Sequence, residues 1–520
     1  MLSMRTLPIL LLLAALARGG DALDSALSDL RAAATADRAA AVEAVLALHH
    51  EIEGVLEKLR AGPAVEPIEP GWHKLEATDE KGVARPFFLE LPKSVAKSGT
   101  PAPLLVYLHG GVSRPTFADD PGGYAHAWAE AGEEAGFVSV FPMGKEDCTW
   151  WSDAGVRHIR AVIREAKRIA PIDDDAIVAT GFSDGGSGAY YLAMAAPTPF
   201  AAFLAQNGHP AVASGASGKQ LYLRDLKLRP LFAAMTADDP LYPAFAVLQH
   251  LQPLLAEGAD KLRLVSYETG GHRPSYFEDQ RGAFLKFVTD TPRDPLPDEI
   301  DWWCADPATG KFAWVEVTEI GPGETDAKPL PDLNIISRPG KVRIGIQVDR
   351  NFQGPGVKVA KVMEKTTAAA MGIEEGDILV GLDKFRIADL PALSKALGKK
   401  HFDENVTVIV RRGDKELTLT GHFPAFMPEP YYKRDKPTAR ISVRHEGDAI
   451  EVTARNVRAF RLLIDPRMVD ITKATVSVNG RPAETRSRRY DLKTILRRYG
   501  AEADKGRLFT GEIDVRVPAK

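Results

Sequence analysis

The chain has little cysteine: two residues, Cys148 and Cys304, among 520. Two thiols so far apart build neither a disulfide framework nor a cysteine-rich zinc site. Two readings stay open for them, one disulfide in an exported chain or two unpaired, buried thiols. Beyond the N-terminus there is no long apolar run, so no later segment is expected to span a membrane. An excess of either charge is lacking too: 66 Lys and Arg against 70 Asp and Glu leave a net charge of −4. That excludes a broadly basic face for nucleic acid, and no block of like charge marks a solvating tail. No internal repeat and no metal-ligand spacing are present, so neither a metal nor a cofactor is expected.

What is there is ordinary globular material, 45% hydrophobic and 26% charged. Single cores seldom exceed roughly 250–300 residues, so about three or four folded units are expected. At the N-terminus Arg5 precedes an apolar run, Leu7 to Ala17, and then small residues. Such a run is short for a bilayer span and reads as a signal peptide over 1–22, cleaved between Ala17 and Ala22. An uncleaved anchor is the alternative. No cysteine near this site suggests a lipoprotein. The expected location is therefore secreted or periplasmic.

Residues 23–69 read as a helical segment. Leu27, Leu30, Val42, Val45, Leu46, Ile52, Val55, Leu56 and Leu59 recur at near-helical spacing. They predict one long helix or a helical hairpin with a packing or spacer role. Residues 70–290 alternate short apolar runs with helical stretches, the pattern of a mostly parallel α/β sheet. Residues 291–340, rich in Pro, Asp and Gly, read as a linker that partly packs back on the preceding domain, with one strand-like piece at Phe312–Thr318. Residues 341–423 form a compact unit of short strands and two helices. Residues 424–437 read as a second linker. Residues 438–520 suggest a small β-rich module, structural or adhesive, with strands such as Arg440–Arg444, Ile450–Ala454 and Thr475–Val478.

Within 70–290 a set of residues falls in a chemically meaningful order. The apolar strand ending Ile177-Val178-Ala179-Thr180 runs into Gly181-Phe182-Ser183-Asp184-Gly185, and a helical stretch follows. A serine between two glycines on a strand-to-helix turn is lifted above the sheet, over a helix N-terminus that favours developing negative charge. Ser183 is therefore the candidate nucleophile; Ser187, one turn into the helix, is the competitor. Upstream, the strand Leu104–Leu108 ends in His109-Gly110-Gly111. Small residues there allow main-chain N–H groups to turn toward a substrate oxygen, so Gly110, Gly111 and Asp184 are the candidate oxyanion donors. His109 itself reads better as a loop-shaping residue than as the base. Downstream, the strand Leu231–Met235 leads to Asp238 and Asp239. Asp239 is the candidate acid, Asp238 its alternative, and a helix cap the bland reading. The strand Leu262–Tyr267 exits through Glu268-Thr269-Gly270-Gly271 to His272. Of 12 histidines it alone follows both a late strand and the acid, which makes it the candidate base. Its action as a base requires the unprotonated ring. His109, His209, Trp150 and Trp151 are candidate substrate-pocket residues. Tyr124 and Trp128 offer further aromatic surface, and Arg114 a place for a carboxylate. Packing around the sheet is the competing reading for the aromatics.

Over 70–290 the segments PLLVYLHGG, Ile172-Asp173-Asp174-Asp175, GFSDGG, TADDPLYP and TGGH resemble the esterase branch of the α/β-hydrolases. The likeness is to the feruloyl-esterase and polyhydroxybutyrate-depolymerase group, with some similarity to prolyl-oligopeptidase catalytic domains. It covers less than half of the chain. It implies a Ser183–Asp239–His272 triad and an acyl-enzyme intermediate. The H-G-G continues as Val112-Ser113-Arg114 rather than as a longer glycine run, which leaves the oxyanion donor open.

Residues 341–423 resemble a PDZ domain of the type attached to bacterial secreted proteases. The likeness rests on Val342-Arg343-Ile344-Gly345-Ile346-Gln347, a short helix over Thr366–Met371, and Gly372-Ile373-Glu374-Glu375-Gly376-Asp377-Ile378-Leu379. Gly372 suits a helix C-cap and Gly376-Asp377 a tight turn. A second helix, Leu390–Leu397, would face the strand Ile344–Ile346. Ile344, Gly345, Ile346 and Leu390 are then the candidate peptide groove, able to take a protein C-terminus as an added strand. A docking or packing role without peptide is the alternative. The sequence as a whole thus predicts an exported serine hydrolase acting on small-molecule or polymer-linked carboxylic esters. The alternatives are a serine peptidase of prolyl-oligopeptidase type and a non-catalytic scaffold with a degenerate hydrolase domain.

Overall fold

A computed structural model describes residues 22–33, 37–48, 51–62, 65–321, 330, 332–337, 342–349 and 351–517, without the side chains of 486 and 487. The signal segment expected over 1–22 lies outside them except for Ala22. Among the described residues no helix is long and apolar enough to cross a membrane. The chain divides into two compact units, one ending at Asn334 and resuming at Tyr432, the other spanning Ile335–Tyr431.

The N-terminal segment is three helices rather than one long helix or a hairpin: α1 (Ala22–Ala32), α2 (Arg38–Leu46) and α3 (Ile52–Ala61). Leu23, Leu27 and Leu30 on α1 stand at i, i+4 and i+7, so they form one apolar stripe. They bury against Val45, Leu56 and Leu59 of the other two, and against Ile495, Leu496 and Tyr499 from far along the chain.

The α/β architecture expected over 70–290 is present. In chain order it holds β1 (Gly71–Thr78), β2 (Ala84–Leu91), α4 (Lys93–Ser98), β3 (Ala102–Leu108), α5 (Gly123–Ala135) and β4 (Val138–Pro142). Then come α6 (Asp153–Ile169), β5 (Ile172–Phe182), α7 (Asp184–Ala195), β6 (Ala202–Gln206) and α8 (Pro210–Ser217). It closes with β7 (Leu231–Thr236), α9 (Ala244–Ala256), β8 (Leu262–Tyr267) and α10 (Phe277–Thr289). The strands form one 8-stranded sheet in the order β1-β2-β4-β3-β5-β6-β7-β8. Only β1–β2 and β2–β4 pair antiparallel; from β4 to β8 every pairing is parallel. A parallel sheet covered on both faces needs nearly continuous apolar strands, which is why β3, β6 and β7 read as such. Their carboxyl ends gather at one edge, where this fold class binds ligands.

The stretch 291–340 is not a linker throughout. It holds β9 (Glu299–Cys304), β10 (Lys311–Phe312) and β11 (Val315–Ile320). The second unit follows, with β12 (Ile346–Val348), β13 (Val357–Val362), α11 (Thr367–Met371), β14 (Ile378–Leu382) and β15 (Phe385–Arg386). It ends with α12 (Leu390–Leu397), β16 (Asn405–Arg412) and β17 (Lys415–His422). Its sheet runs β12-β13-β14-β16-β17, over a core of Ile344, Val359, Leu379, Leu393, Val408 and their neighbours. The segment 424–437 is not a plain linker either. Ser337 N donates to Glu429 O at 2.8 Å inside the second unit. Tyr432, wholly buried in the first unit, bonds His250 Nδ1 at 3.1 Å.

The C-terminal strands are β18 (Ala439–Glu446), β19 (Ala449–Arg455), β20 (Val457–Ile464), β21 (Thr475–Val478), β22 (Arg481–Pro482), β23 (Glu484–Tyr490) and β24 (Gly511–Arg516), with α13 (Leu492–Glu502) among them. Two 5-stranded sheets result, β22-β21-β19-β18-β9 and β10-β11-β20-β24-β23. Each is completed by strands from before the second unit. Ile300, Trp302 and Cys304 alternate inward from β9 and share one core with Ile441, Val443, Phe460 and Ile513.

Candidate active site

Ser183 stands between β5 and α7 with φ 60° and ψ −118°, a strained conformation for a residue with a Cβ. Backbones crowd beneath it. A Cβ on Gly185 would lie 1.7 Å from Leu108 O, and one on Gly181 2.5 Å from the same atom. These two positions therefore admit only glycine, and they fix the end of β3 against the start of α7. Ser183 N donates to Gln206 O at 3.0 Å, which ties the turn to β6.

The structure brings Ser183, His272 and Asp239 together. His272 Nε2 is 2.8 Å from Ser183 Oγ. His272 Nδ1 is 2.8 Å from Asp239 Oδ2. The Asp239 side chain is shut off from solvent, whereas that of His272 remains partly open. Burial raises the Asp239 carboxyl. Hydrogen bonds from Asn207, the Tyr242 amide, His272 and the Leu241 amide more than reverse this, and hold it below the usual carboxylate range. Asp238, the alternative acid, points elsewhere. It accepts from Gly271 N at 2.7 Å and Gly270 N at 3.3 Å, and so shapes the loop that carries His272. Thr236 Oγ1 donates to Gly271 O at 2.6 Å and secures the same loop.

Asn207 is the residue that sequence reasoning missed. It is fully buried after β6 with φ 42°. Its Nδ2 donates to Asp239 Oδ2 at 2.8 Å and to Thr236 Oγ1 at 2.9 Å, and its Oδ1 accepts from Tyr276 at 2.5 Å. The dipeptide Asn207-Gly208 is a turn signal with positive φ, and that was the available clue.

Facing Ser183, Gly110 approaches so closely that a Cβ there would lie 3.0 Å from Ser183 Cβ. Gly111 has φ 67°. Their carbonyls are turned away: Gly110 O accepts from His109 Nδ1 at 2.8 Å and Arg114 Nη2 at 3.2 Å, and Gly111 O from Arg114 Nε at 2.8 Å. Val112 N is taken by Asp184 Oδ2 at 2.9 Å. Asp184 is the first residue of α7, so its N–H has no intrahelical partner.

His109 is buried. Its Nε2 accepts from Gly144 N at 2.9 Å, which leaves Nδ1–H to donate to Gly110 O. Burial pushes its pKa down to about 4, so the ring is neutral near pH 7. It shapes the glycine loop. A cavity of about 270 Å³ beside this loop is lined by Tyr107, His109, Arg114, Tyr124 and Phe182 among others. Tyr124 stacks on Phe182, and Phe182 lies 5.0 Å from the His272 ring.

The other aromatics expected at the pocket belong to packing. Trp150 is fully buried and its Nε1 donates to His109 O at 2.8 Å; Trp151 is buried too, and Trp128 packs on Phe277 and Phe284. His209 caps α8, its Nδ1 accepting from Ala211 N at 3.1 Å, and lies 5.9 Å from the Tyr242 ring. Cys148 and Cys304 are both buried and unpaired.

In the second unit β12 is an edge strand that begins at Ile346. Gly345 has φ 94° and leaves no room for a Cβ against Thr366. Ile346 is half-buried and Leu390 is 46% exposed. Ile344 departs from the expected groove set: it is buried in the unit's own core. Thr366 caps α11 through Ala369 N, and Gly372 ends it with φ 78°.

Residues 342–421 match the family model described as PDZ domain. No curated protein matches the chain. Among solved structures, a thermostable esterase is 22% identical over 42% of this chain and 59% of its own, with a TM-score of 0.33. The match thus spans about three-fifths of that esterase. Est1E from Butyrivibrio proteoclasticus is 16% identical over 41% of this chain and 97% of its own, with a TM-score of 0.32. The acylaminoacyl peptidase of Pyrococcus horikoshii is 14% identical over 47% and 44%, with a TM-score of 0.33.

Proposed function

We propose that this protein is a serine hydrolase that cleaves carboxylic esters through an acyl-enzyme on Ser183. The observation that carries this reading is the pair of 2.8 Å contacts from the two nitrogens of His272, one to Ser183 Oγ and one to Asp239 Oδ2. His272 Nε2 takes the Ser183 proton as Oγ attacks the ester carbonyl carbon. The carbonyl electron pair moves onto its oxygen, beside the amides of Gly111 and Asp184 at the α7 N-terminus. Collapse of the tetrahedral intermediate expels the alkoxide, which takes the proton from Nε2. Water, activated by the same nitrogen, then releases the acid and restores Ser183. Asp239 holds Nδ1–H throughout and so keeps Nε2 free to accept. The cavity at Tyr124 and Phe182 receives part of the ester.

The proposal extends to export, on the strength of Arg5 and the apolar run Leu7–Ala17. It extends also to peptide docking at the edge strand β12 of the PDZ domain, where positive φ at Gly345 leaves backbone amides free to turn toward a carboxylate.

The test is labelling by a fluorophosphonate together with hydrolysis of short p-nitrophenyl esters. Ser183→Ala is expected to abolish labelling and to lower kcat by roughly 10⁴–10⁶-fold. Labelling that persists in Ser183→Ala overturns the nucleophile. Cleavage of peptides without esters moves the reaction to a peptidase, and no labelling of the unaltered protein moves it to a scaffold.

A further inference from the structure

Away from the active site, α6 carries Arg157, Arg160, Arg164 and Lys167 along one face, at intervals of three, four and three residues. Cations at i and i+4 repel one another, so such a stripe is destabilising when it faces only water. Here it forms one wall of a cavity of about 280 Å³, roughly nine water volumes. The opposite wall includes Arg498 and Arg507, from α13 and the loop after it.

Charge is not balanced inside this cavity. Arg157 is paired with Asp79 at 3.4 Å and Lys167 with Asp174 at 2.5 Å. Of the carboxylates on the walls, Glu316 is held by Arg498 at 3.0 Å, Asp504 by Arg293 at 2.8 Å, and Glu502 by Arg507. Arg160 and Arg164 have no carboxylate within ion-pair distance among the described residues, and only the exposed Glu80 remains to face them. Two guanidinium donors on the walls are buried without an acceptor, Nε of Arg164, whose Nη2 donates to Ala33 O at 3.3 Å, and Nε of Arg507. Arg507 is 7% exposed, and its other nitrogens serve Glu502 and Ala313 O. Burial, and then the neighbouring Arg38, push Arg164 down to about 10. A buried donor without a partner is costly, and an ion is one of the few things that relieves it.

We propose that this cavity binds a small dianionic phosphate group through Arg160, Arg164 and Arg507. Two guanidinium groups without a carboxylate, Arg160 and Arg164, call for two negative charges, and their planar forks suit the oxygens of a phosphate. The volume admits a phosphate with a short organic appendage.

The test follows thermal unfolding of the full chain at fixed pH and ionic strength, in chloride, in inorganic phosphate and in glycerol 2-phosphate. Binding to the folded state alone raises the midpoint saturably. A rise of about 2 °C or more is expected in at least one phosphate medium. A larger rise with glycerol 2-phosphate identifies a phosphate monoester as the ligand, and a larger rise with inorganic phosphate identifies the free ion. Arg160→Gln and Arg164→Gln are each expected to weaken the apparent affinity at least tenfold without lowering the midpoint in chloride. Arg160 is exposed, so its variant keeps the test intact should Arg164→Gln not fold. No saturable rise, or one unchanged in these variants, overturns the proposal.

Discussion

A hydrogen bond to a buried carboxylate is worth about 1.5–3 kcal/mol, against about 1 for a neutral pair. Asn207 makes such a bond to Asp239 from a site sealed from solvent. It does not line the cavity beside Ser183. Asn207→Ala is therefore expected to lower kcat about 10- to 100-fold and leave KM nearly unchanged. Steady-state kinetics on a p-nitrophenyl ester reads the split, and a change confined to KM would remove Asn207 from the His272–Asp239 support. Ser183 itself stores strain at φ 60° and ψ −118°. Such a conformation costs roughly 1–3 kcal/mol for a residue with a Cβ and little for glycine. Glycine gives back up to about 1 kcal/mol through its freer unfolded chain. Ser183→Gly is thus expected to be more stable than Ser183→Ala by about 1 kcal/mol in denaturant titrations, both being inactive. A glycine variant less stable than the alanine one would mean that the turn is not strained.

At the scale of elements, the second unit leaves and rejoins the first at paired residues. Asn334 Nδ2 donates to Tyr432 O at 2.7 Å, and Tyr432 N to Asn334 Oδ1 at 3.2 Å. Replacing 335–431 with a short Gly-Ser link therefore closes a gap that the first unit already spans. The shortened chain is expected to keep fluorophosphonate reactivity at Ser183 within about threefold, and loss of reactivity would tie the PDZ domain to the chemistry. The same region shows where the sequence was legible. The β5–Ser183–α7 turn, the glycine loop after β3 and the edges of α12 are written in local signals: an apolar run, a glycine that backbone contact demands, a capping aspartate. β9 carries no such signal, and β11 shows only within the strand-like piece Phe312–Thr318. Their partners β18 and β20 lie beyond the whole second unit, so nothing local in this Pro- and Asp-rich stretch tells a linker from strands that complete distant sheets. α13 was hidden for a related reason. Leu492, Ile495, Leu496 and Tyr499 make an apolar face, but what they cover is α1–α3, nearly the whole chain away. Asp238 and Asp239 are adjacent and chemically alike, so only the fold tells the loop-shaping carboxylate from the one that meets His272.

Across the whole molecule, buried histidines govern how the fold responds to acid. Burial pushes His109, His158 and His209 from 6.5 down to about 4, and burial with the neighbouring His209 pushes His250 to about 3. The unfolded chain takes up these protons near pH 6.5, while the folded chain refuses them until about pH 4. Between those values the unfolded state binds more protons, so stability is lost as pH falls through that window. Each such group contributes up to about 1.4 kcal/mol per pH unit. Asp225 works in the opposite sense: burial raises it well above 3.8, so the folded chain keeps a proton that the unfolded chain has lost. Burial raises Glu90 and Asp175 in the same sense, but three carboxyls do not offset the four histidines, and the midpoint in denaturant is expected to drop steeply from pH 6.5 to pH 4.5. His158 gives the cleanest check. It sits on α6 with Nε2 3.2 Å from Pro86 O and Nδ1 buried without a partner. His158→Leu removes one proton from the linkage, so it should flatten the slope of stability against pH by about 1.4 kcal/mol per unit within the window. A slope left unchanged would mean that His158 is not neutral in the folded chain, and that the acid sensitivity of the fold has another source.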